Sequence, residues 1–367
     1  MTRKLKVMTV FGTRPEAIKM APVVLELKKQ NESFETTVVV TAQHREMLDQ
    51  ILETFKITPD YDLNIMGKEQ TLADITTNVL SKLDPIIKEV SPDIILVHGD
   101  TSTTFVASLA AYYNQIKVGH VEAGLRTYNK YSPFPEEVNR QLTGIIADFH
   151  FAPTEQAKEN LLIENKDSDT IFVTGNTVID ALKTTVTEER VITKSGKRTI
   201  LVTVHRRENL GNNMRQIFSA IKRLVEAHPD VEVVYPVHLN PKVQNLAQEI
   251  LGNHERIKLI APLDVVDFHN LMAESYLVMT DSGGLQEEAP SFGVPVIVLR
   301  DTTERPEGVT AGTLKLTGTK EESIFSIANE LLTDNIKYAK MSNVQNPYGD
   351  GFSSKRIVDI IKESLNS

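Results

Sequence analysis

The 367-residue sequence contains no cysteine, and this absence excludes disulfide bonds and cysteine-ligated metal sites. It also has no excess of basic residues: the formal net charge is −9, whereas a nucleic-acid-binding protein carries a basic surface. No apolar run reaches the length of a membrane span, and the basic segment 1–16 has too short an apolar run for a signal peptide. We therefore expect a cytoplasmic enzyme or binding protein with neither a nucleic-acid nor a membrane partner.

Two common nucleotide-binding motifs are also missing. The G-x-G-x-x-G turn of dinucleotide-binding folds and the G-x-x-x-x-G-K-[ST] loop of ATPases are absent where the first strand of each half meets its helix. Those places contain Phe11-Gly12-Thr13-Arg14 and Val204-His205-Arg206-Arg207 instead. We therefore expect no nicotinamide or flavin cofactor and no ATPase activity.

The sequence does contain a regular alternation of short apolar strands with helical segments. The predicted strands are 5–11, 36–41, 93–97, 118–121, 149–152 and 171–174, followed by 199–204, 231–237, 257–260, 277–280, 294–299 and 313–316. This alternation is typical of an α/β protein with doubly wound parallel sheets. A polar stretch at 185–198 separates the two runs. We predict two Rossmann-like domains, 1–185 and 198–350, that face a cleft, with the helical stretch 353–365 able to pack back on the first.

The most site-like stretch of the sequence is 279–307. A predicted strand ends just before Ser282-Gly283-Gly284, and a helical segment follows. Ser282 is a natural N-cap, and the two glycines allow close approach of a ligand to the backbone. Unpaired N–H groups at a helix start favour phosphate, and Arg305 lies in the loop after the next strand, where open α/β sheets bind ligands. An ordinary capped turn is the alternative, but the coincidence of glycines, cap and arginine favours phosphate binding.

The first turn of each half carries a further basic side chain. Arg14 follows the first strand and stands at the start of a helix, so we favour an anion contact over an ordinary surface arginine. His205 ends the first strand of the second half, beside Arg206. A histidine in that position is a credible acid or anion contact.

Carboxylates follow strands or start helices at three places in the first half, namely Asp100, Glu122 and Glu136. Glu122 has no evident capping role, and a carboxylate that ends an apolar strand is more often a site residue than a structural one. Asp100 can equally be a helix N-cap. Glu136 and Arg140 are four residues apart, so they share a helix face and can form an ion pair.

Two histidines raise the question of a metal site. His98 and His120 stand two residues before Asp100 and Glu122, so each pair faces one side of its strand. No further element supplies an evident third ligand. We therefore expect no metal.

Six sequence blocks, taken in this order and spacing, resemble the non-hydrolysing UDP-N-acetylglucosamine 2-epimerases of bacteria. The blocks are FGTRPE, HGDTSTT, HVEAGLRT, SPFPEEVNR, TVHRREN and TDSGGLQEEAP. Ser102, within the threonine run, and Val204, before the histidine, are small departures, and neither is a proposed catalytic group. The family has a glycosyltransferase-B architecture, which agrees with the two predicted halves.

This resemblance implies reversible conversion of UDP-GlcNAc into UDP-ManNAc by elimination of UDP to 2-acetamidoglucal and re-addition, which supplies cell-surface polysaccharide precursors. It implies a homodimer and no cofactor. The implied catalytic residues are Asp100, Glu122, Glu136 and His205. The implied substrate contacts are Arg14, Lys19, Arg140, Ser282, Gly283, Gly284, Glu288 and Arg305, with Glu288 at the ribose hydroxyls. Alternatives are a hydrolysing epimerase that releases ManNAc and UDP, a UDP-sugar transferase of the same fold, and a non-catalytic UDP-sugar sensor.

Some members of the resembled family are activated by their own substrate at a second site. The residues expected there are Gln43, His44 and Gln70 in loops of the first half, and Arg206 and His238 at strand ends of the second. Such a site would bridge the predicted cleft and favour a closed state. Lys68-Glu69 replaces an arginine of some relatives. Solvated loop residues are the alternative interpretation.

Overall fold

Two parallel β-sheets organise the chain, whose structure is a computed structural model that describes residues 3–42, 45–67, 70–187 and 196–366. The chain divides into unit 1, formed by Met1–Thr184 and Tyr348–Ser367, and unit 2, formed by Thr185–Pro347. Within the segment predicted as a linker, residues 188–195 lie outside the described ranges.

Unit 1 contains a seven-stranded sheet in the order β3-β2-β1-β4-β5-β6-β7, with every neighbouring pair parallel. Its strands are β1 (Leu5–Phe11), β2 (Phe34–Val40), β3 (Tyr61–Asp62), β4 (Ile94–His98), β5 (Lys117–Val121), β6 (Phe149–Ala152) and β7 (Ile171–Val173). Its first seven helices are α1 (Arg14–Lys29), α2 (Arg45–Thr54), α3 (Leu72–Val90), α4 (Ser102–Tyr113), α5 (Glu136–Ile146), α6 (Glu155–Ile163) and α7 (Thr177–Thr185).

The inner strands of unit 1 are buried on both faces, which is why they are continuous apolar runs rather than alternating ones. All five residues of β4 are buried, and so are the last five residues of β1. The register pairs Val97 with His120 and His120 with His150. The carboxyl ends of β4 and β5 therefore lie side by side, and the turns after them meet at one edge of the sheet.

Unit 2 contains a six-stranded parallel sheet in the order β10-β9-β8-β11-β12-β13. Its strands are β8 (Arg198–Thr203), β9 (Val231–Pro236), β10 (Ile257–Ile260), β11 (Leu277–Thr280), β12 (Val296–Val298) and β13 (Leu314–Leu316). Its helices are α8 (Asn212–Ala227), α9 (Pro241–Leu251), α10 (Val265–Glu274), α11 (Gly283–Glu288), α12 (Pro306–Ala311), α13 (Glu321–Thr333) and α14 (Asn335–Ser342). The strand order reverses between β8 and β11, the kind of switch point where such sheets bind ligands.

The last helix, α15 (Ser353–Asn366), belongs to unit 1 and packs against α1. Asp180 of α7 holds its N-terminus by accepting hydrogen bonds from the backbone N–H groups of Ser353, at 3.1 Å, and Ser354, at 2.8 Å. In the described part of the chain, no helix is both long and apolar enough to cross a membrane.

The predicted fold class is confirmed: both sheets are parallel, and strands alternate with helices. Strand β3 is absent from the predicted strands, because it has only two residues and forms by pairing with β2 rather than by an apolar pattern. The strand predicted at 294–299 is shorter than expected and spans only Val296–Val298. Pro295 has no N–H group to donate to a neighbouring strand, so regular pairing starts after it.

Candidate active site

Glu122 lies at the centre of a buried polar cluster in unit 1. It follows β5 directly and has a left-handed backbone conformation with φ of 61°. Such a conformation costs a non-glycine residue on the order of 1–3 kcal/mol, and it persists only where surrounding contacts hold it. The Glu122 side chain is only 7% exposed, so those contacts are within the protein.

The two carboxylate oxygens of Glu122 have different partners. Oε2 contacts Lys19 Nζ, accepts a hydrogen bond of 3.1 Å from Asn176 Nδ2, and lies 3.6 Å from His98 Nε2. Oε1 accepts from Arg140 Nη2 at 3.3 Å. The predicted substrate contacts Lys19 and Arg140 are thus brought to the predicted catalytic Glu122.

These cations determine the charge of Glu122. Burial alone would raise the pKa of this carboxyl, but the charges of Lys19, His98 and Arg140 hold its pKa well below the ordinary value. Glu122 is therefore an anion throughout the physiological range and a weak proton acceptor in this arrangement.

Arg140 joins two of the predicted catalytic carboxylates. Its Nη2 lies 2.5 Å from Asp100 Oδ2 and 3.3 Å from Glu122 Oε1, and its Nη1 donates to the Glu122 carbonyl. The predicted Glu136–Arg140 pair is wrong: among the described residues, the ion pairs of Arg140 are with Asp100 and Glu122. The buried guanidinium turns toward the carboxyl ends of β4 and β5, where two carboxylates offset the cost of its burial.

The other two carboxylates are more accessible than Glu122. The Asp100 side chain is 32% exposed, and Glu136, the first residue of α5, is half-buried with no ion pair among the described residues. Asp100 does not cap α4, because Thr101 is the N-cap and its hydroxyl accepts from the Thr104 N–H. The capping alternative for Asp100 is therefore wrong.

Arg14 is the first residue of α1, where the turn is fixed by Glu16. The Glu16 carboxylate accepts from the backbone N–H groups of Gly12, at 3.1 Å, and Thr13, at 2.8 Å, and from the Thr101 hydroxyl at 2.7 Å. Arg14 is half-buried and has no ion pair within the described ranges. Glu16 is not among the predicted site residues, although the spacing Thr13-x-x-Glu16 is a capping-box signal that points to it.

In unit 2, Asp281 connects the turns after β8 and β11. It is fully buried and accepts hydrogen bonds from the backbone N–H groups of His205 and Arg206 and from Asn209 Nδ2, at 2.9–3.2 Å. Asp281 is not among the predicted site residues. Its position directly after a buried strand was the available signal, since a carboxylate buried there requires several donors.

His205 lies over this carboxylate, with Nδ1 3.4 Å from Asp281 Oδ1. Its ring stacks on that of His238 with centroids 5.5 Å apart. Burial lowers the pKa of His205; Asp281 opposes that shift, while His238 and Arg206 add to it. His205 is therefore a neutral ring at pH 7, able to donate or accept one proton.

The predicted phosphate turn has the expected components, with one difference. Ser282 occupies the N-cap position of α11, but its hydroxyl makes no capping hydrogen bond. A Cβ atom added to Gly283 would lie 3.9 Å from Nη2 of both Arg206 and Arg305. Arg305 also contacts the Glu287 carboxylate. Backbone N–H groups, a hydroxyl and two guanidinium groups thus converge at this turn, the donor set that an anionic ligand requires.

The residues predicted for a second site are only partly described. Gln43 and His44 lie outside the described residues. Gln70 donates from Nε2 to the Ile65 carbonyl, and its Oε1 is buried without a partner in the described ranges. Arg206 and His238 both lie next to His205. Across the same ranges, no group of three or more His, Asp and Glu side chains could hold a metal ion.

Comparisons with known proteins agree with this geometry. The sequence model of the family described as UDP-N-acetylglucosamine 2-epimerase matches residues 26–362. The UDP-N-acetylglucosamine 2-epimerase of Bacillus subtilis is 64% identical over 361 residues, which cover 97% of this chain and 95% of that protein. A crystal structure of a UDP-N-acetylglucosamine 2-epimerase has 61% identity and a TM-score of 0.92, covering 100% of this chain and 97% of that one.

A further solved structure is that of the Neisseria meningitidis UDP-GlcNAc 2-epimerase bound to UDP-GlcNAc. It has 51% identity and a TM-score of 0.89, and the match covers 98% of this chain and all of that chain. The two parallel-sheet units also match neighbours of glycosyltransferase-B-like architecture. On the family match over 26–362 and these identities, the chain belongs to the UDP-N-acetylglucosamine 2-epimerase family.

Proposed function

We propose that the protein interconverts UDP-GlcNAc and UDP-ManNAc by inverting the configuration at C2 of the sugar. The observation that carries this proposal is the pair of carboxylates, Asp100 and Glu122, that share the Arg140 guanidinium at the carboxyl ends of β4 and β5. The Neisseria meningitidis relative, solved with UDP-GlcNAc bound, supports the choice of substrate.

The proposed route is non-hydrolysing elimination and re-addition. A carboxylate removes the C2 proton while the C1–O bond breaks, so that UDP leaves with the bonding electron pair and 2-acetamidoglucal forms. UDP oxygen then adds back to C1, and a proton is delivered to the opposite face of C2. Because the C2 proton is only weakly acidic, C1–O cleavage must run ahead and depends on stabilising the diphosphate.

Unit 2 is suited to that stabilisation. The N–H groups at Gly283 and Gly284, the Ser282 hydroxyl, and the guanidinium groups of Arg206 and Arg305 are the donors we assign to the diphosphate. Neutral His205 is suited to donate to the departing oxygen. Arg14 of unit 1 is assigned a further phosphate contact.

The three carboxylates of unit 1 are suited to different tasks. Asp100 and Glu136 are accessible, so we assign proton transfer at C2 to them. Glu122 is held as an anion by Lys19 and Arg140, so we assign it to stabilising positive charge that develops at C1 and to holding those two cations. This division is part of the proposal.

The test is turnover of UDP-GlcNAc by the purified protein in deuterium oxide, followed by NMR of the anomeric proton. We expect UDP-ManNAc with deuterium at C2, formed without NAD, because the proton passes through exchangeable carboxylates. Asp100→Asn, Glu122→Gln and Glu136→Gln should abolish turnover and keep UDP binding. A product without solvent deuterium would contradict the mechanism, whereas free ManNAc and UDP would indicate the hydrolysing reaction.

We further propose that the protein works as a homodimer in the cytoplasm, supplying precursors for cell-surface polysaccharides. The support is membership of a family whose members act on nucleotide sugars, which are cytoplasmic metabolites. Light scattering of the purified protein tests the assembly, and a mass that corresponds to one chain would overturn it. Loss of a UDP-ManNAc-derived surface polymer on deletion tests the pathway.

A further inference from the structure

The Glu288 carboxylate has an unusual environment in unit 2. Its side chain is only 13% exposed, and among the described residues the one basic side chain within 4 Å of its carboxylate is that of His269. A carboxylate so nearly buried needs partners to offset its lost hydration. Its Oε1 lies 3.2 Å from the position of a Cβ atom added to Gly284, so this oxygen lies directly over the glycine turn.

His269 of α10 faces the other oxygen of that carboxylate. Its Nε2 lies 3.5 Å from Glu288 Oε2, while its Nδ1 lies 2.7 Å from the Thr185 hydroxyl oxygen. Both His269 and Thr185 are almost completely buried. The ring therefore joins a hydroxyl on one side to a carboxylate on the other, away from bulk water.

The tautomer of the His269 ring decides which group donates and which accepts in these contacts. A neutral ring donates from Nε2 only when Nδ1 accepts, and the Thr185 hydroxyl can supply the hydrogen that Nδ1 requires. In that tautomer Thr185 donates to His269, and the Nε2–H group of His269 faces Glu288 Oε2 at 3.5 Å. A buried polar contact of this kind restricts the rotation of a carboxylate that a ligand must meet.

We propose that His269 is a positioning residue for Glu288: it engages Oε2, so that Oε1 is presented over Gly284 to accept hydrogen bonds from both ribose hydroxyls of the nucleotide. The inference rests on the proposed UDP binding at the Ser282-Gly283-Gly284 turn. It assigns recognition of the ribose to the contacts Thr185–His269–Glu288. Two of these residues, Thr185 and His269, lie outside the glycine turn.

Isothermal titration calorimetry of the whole protein with UDP and with 2′,3′-dideoxy-UDP tests the proposal. We expect the wild type to prefer UDP by at least about tenfold, because hydrogen bonds to a charged group are lost in the analogue. Glu288→Gln should reduce this preference. His269→Phe should reduce it to about threefold or less by weakening UDP binding, with little change for the analogue.

Three matched variants separate positioning from general loosening. His269→Gln should restore much of the preference, since its amide can donate to Glu288. Thr185→Val keeps the shape of the side chain and should lower the preference in the same direction as His269→Phe. Asn270→Ala should keep the wild-type preference, because Asn270 bonds to the Thr185 carbonyl and the Thr187 N–H, at 2.8 and 3.1 Å, and within the described ranges it has no hydrogen bond to Glu288.

The outcomes are distinguishable. A wild-type preference in His269→Phe, with a reduced one in Glu288→Gln, would overturn the positioning role and leave the ribose contact standing. A wild type that binds both nucleotides equally would overturn the role of Glu288 and the inference with it. Epimerase turnover by the wild type, measured on the same preparation, tests the proposed function separately.

Discussion

Arg14 illustrates how a single side chain can be destabilising for the fold and useful for a ligand. It is the first residue of α1, where the positive end of the helix dipole disfavours a cation. It has no ion pair among the described residues, and the Glu16 carboxylate is engaged with backbone N–H groups instead. An anion bound at this turn would satisfy both the guanidinium and the helix end.

The corresponding prediction compares two residues. Arg14→Ala should weaken UDP binding about 10- to 100-fold, since a charge-assisted hydrogen bond contributes about 1.5–3 kcal/mol. Ser282→Ala should weaken it by less, because its hydroxyl is neutral. Titration calorimetry with UDP measures both, and Lys28→Ala, an exposed cation at the opposite end of α1, serves as the control. Unchanged affinity in both variants would mean that the diphosphate binds elsewhere.

At the scale of elements, β5 and β6 carry two buried histidines opposite each other. His120 and His150 are register partners, and both are almost completely buried. Burial and the Arg140 charge lower the pKa of His120, whose Nε2 donates to the Gly99 carbonyl at 2.7 Å. Burial, followed by the charges of Lys166 and Arg126, lowers the pKa of His150 to about 4.

These shifts predict acid sensitivity of unit 1. Between pH 6.5 and about 4, His150 binds a proton in the unfolded chain but not in the folded one. Its contribution to the free energy of unfolding is therefore full above pH 6.5 and is lost as the pH falls through that window. For His150 alone, the free energy of unfolding should fall by an amount on the order of 3 kcal/mol, since one pKa unit corresponds to about 1.4 kcal/mol. Urea unfolding at several pH values measures it, and His150→Gln should flatten the dependence. Parallel curves for the two proteins would refute the assignment.

The attachment of α15 gives a second prediction at this scale. Asp180 accepts from the N–H groups of Ser353 and Ser354, which are two of the otherwise unsatisfied donors at the helix start. Asp180→Ala should therefore lower the free energy of unfolding by about 1–3 kcal/mol and should increase amide hydrogen exchange in residues 353–366. Asp359→Ala removes an exposed pair with Lys355 in the same helix and a long hydrogen bond of 3.4 Å from Gln30, and it should lower the free energy of unfolding by less than about 1 kcal/mol. Equal protection of α15 in both variants would contradict the role of Asp180.

At the scale of the whole molecule, some features of the fold can be predicted from the sequence and others depend on contacts between distant residues. Apolar runs are local properties, so the sequence predicts β1 at its observed bounds, Leu5–Phe11, and also the parallel character of both sheets. The two-residue strand β3 escapes because its residues become a strand only by pairing with β2. The i,i+4 rule pairs Arg140 with Glu136, but Arg140 instead forms ion pairs with buried Glu122 and partly exposed Asp100, which follow neighbouring strands.

The residues of the candidate site also fall into those that the sequence predicts and those that it does not. The turns after strands mark Arg14, Asp100, Glu122 and Ser282, since ligands of parallel sheets bind there. The residues that hold those groups are not marked locally. Asn176 contacts Glu122 from 54 residues away, Asn209 contacts Asp281 from 72, and His269 contacts Thr185 from 84. Only folding brings such partners together, so a single sequence identifies the reacting groups better than their supports.

The last prediction concerns the activity of the whole enzyme. His238 stacks on His205, so a ligand that contacts His238 also acts on a residue assigned to the departing UDP. We expect UDP-ManNAc alone to turn over slowly and to speed up when a trace of UDP-GlcNAc is added, because the activator binds the active state better. His238→Ala and Gln43→Ala should reduce the ratio of activated to basal rate, and the ratio rather than the rate is the readout, since His238→Ala also disturbs His205. Equal rates with and without the trace would eliminate the second site and leave the epimerase reaction intact.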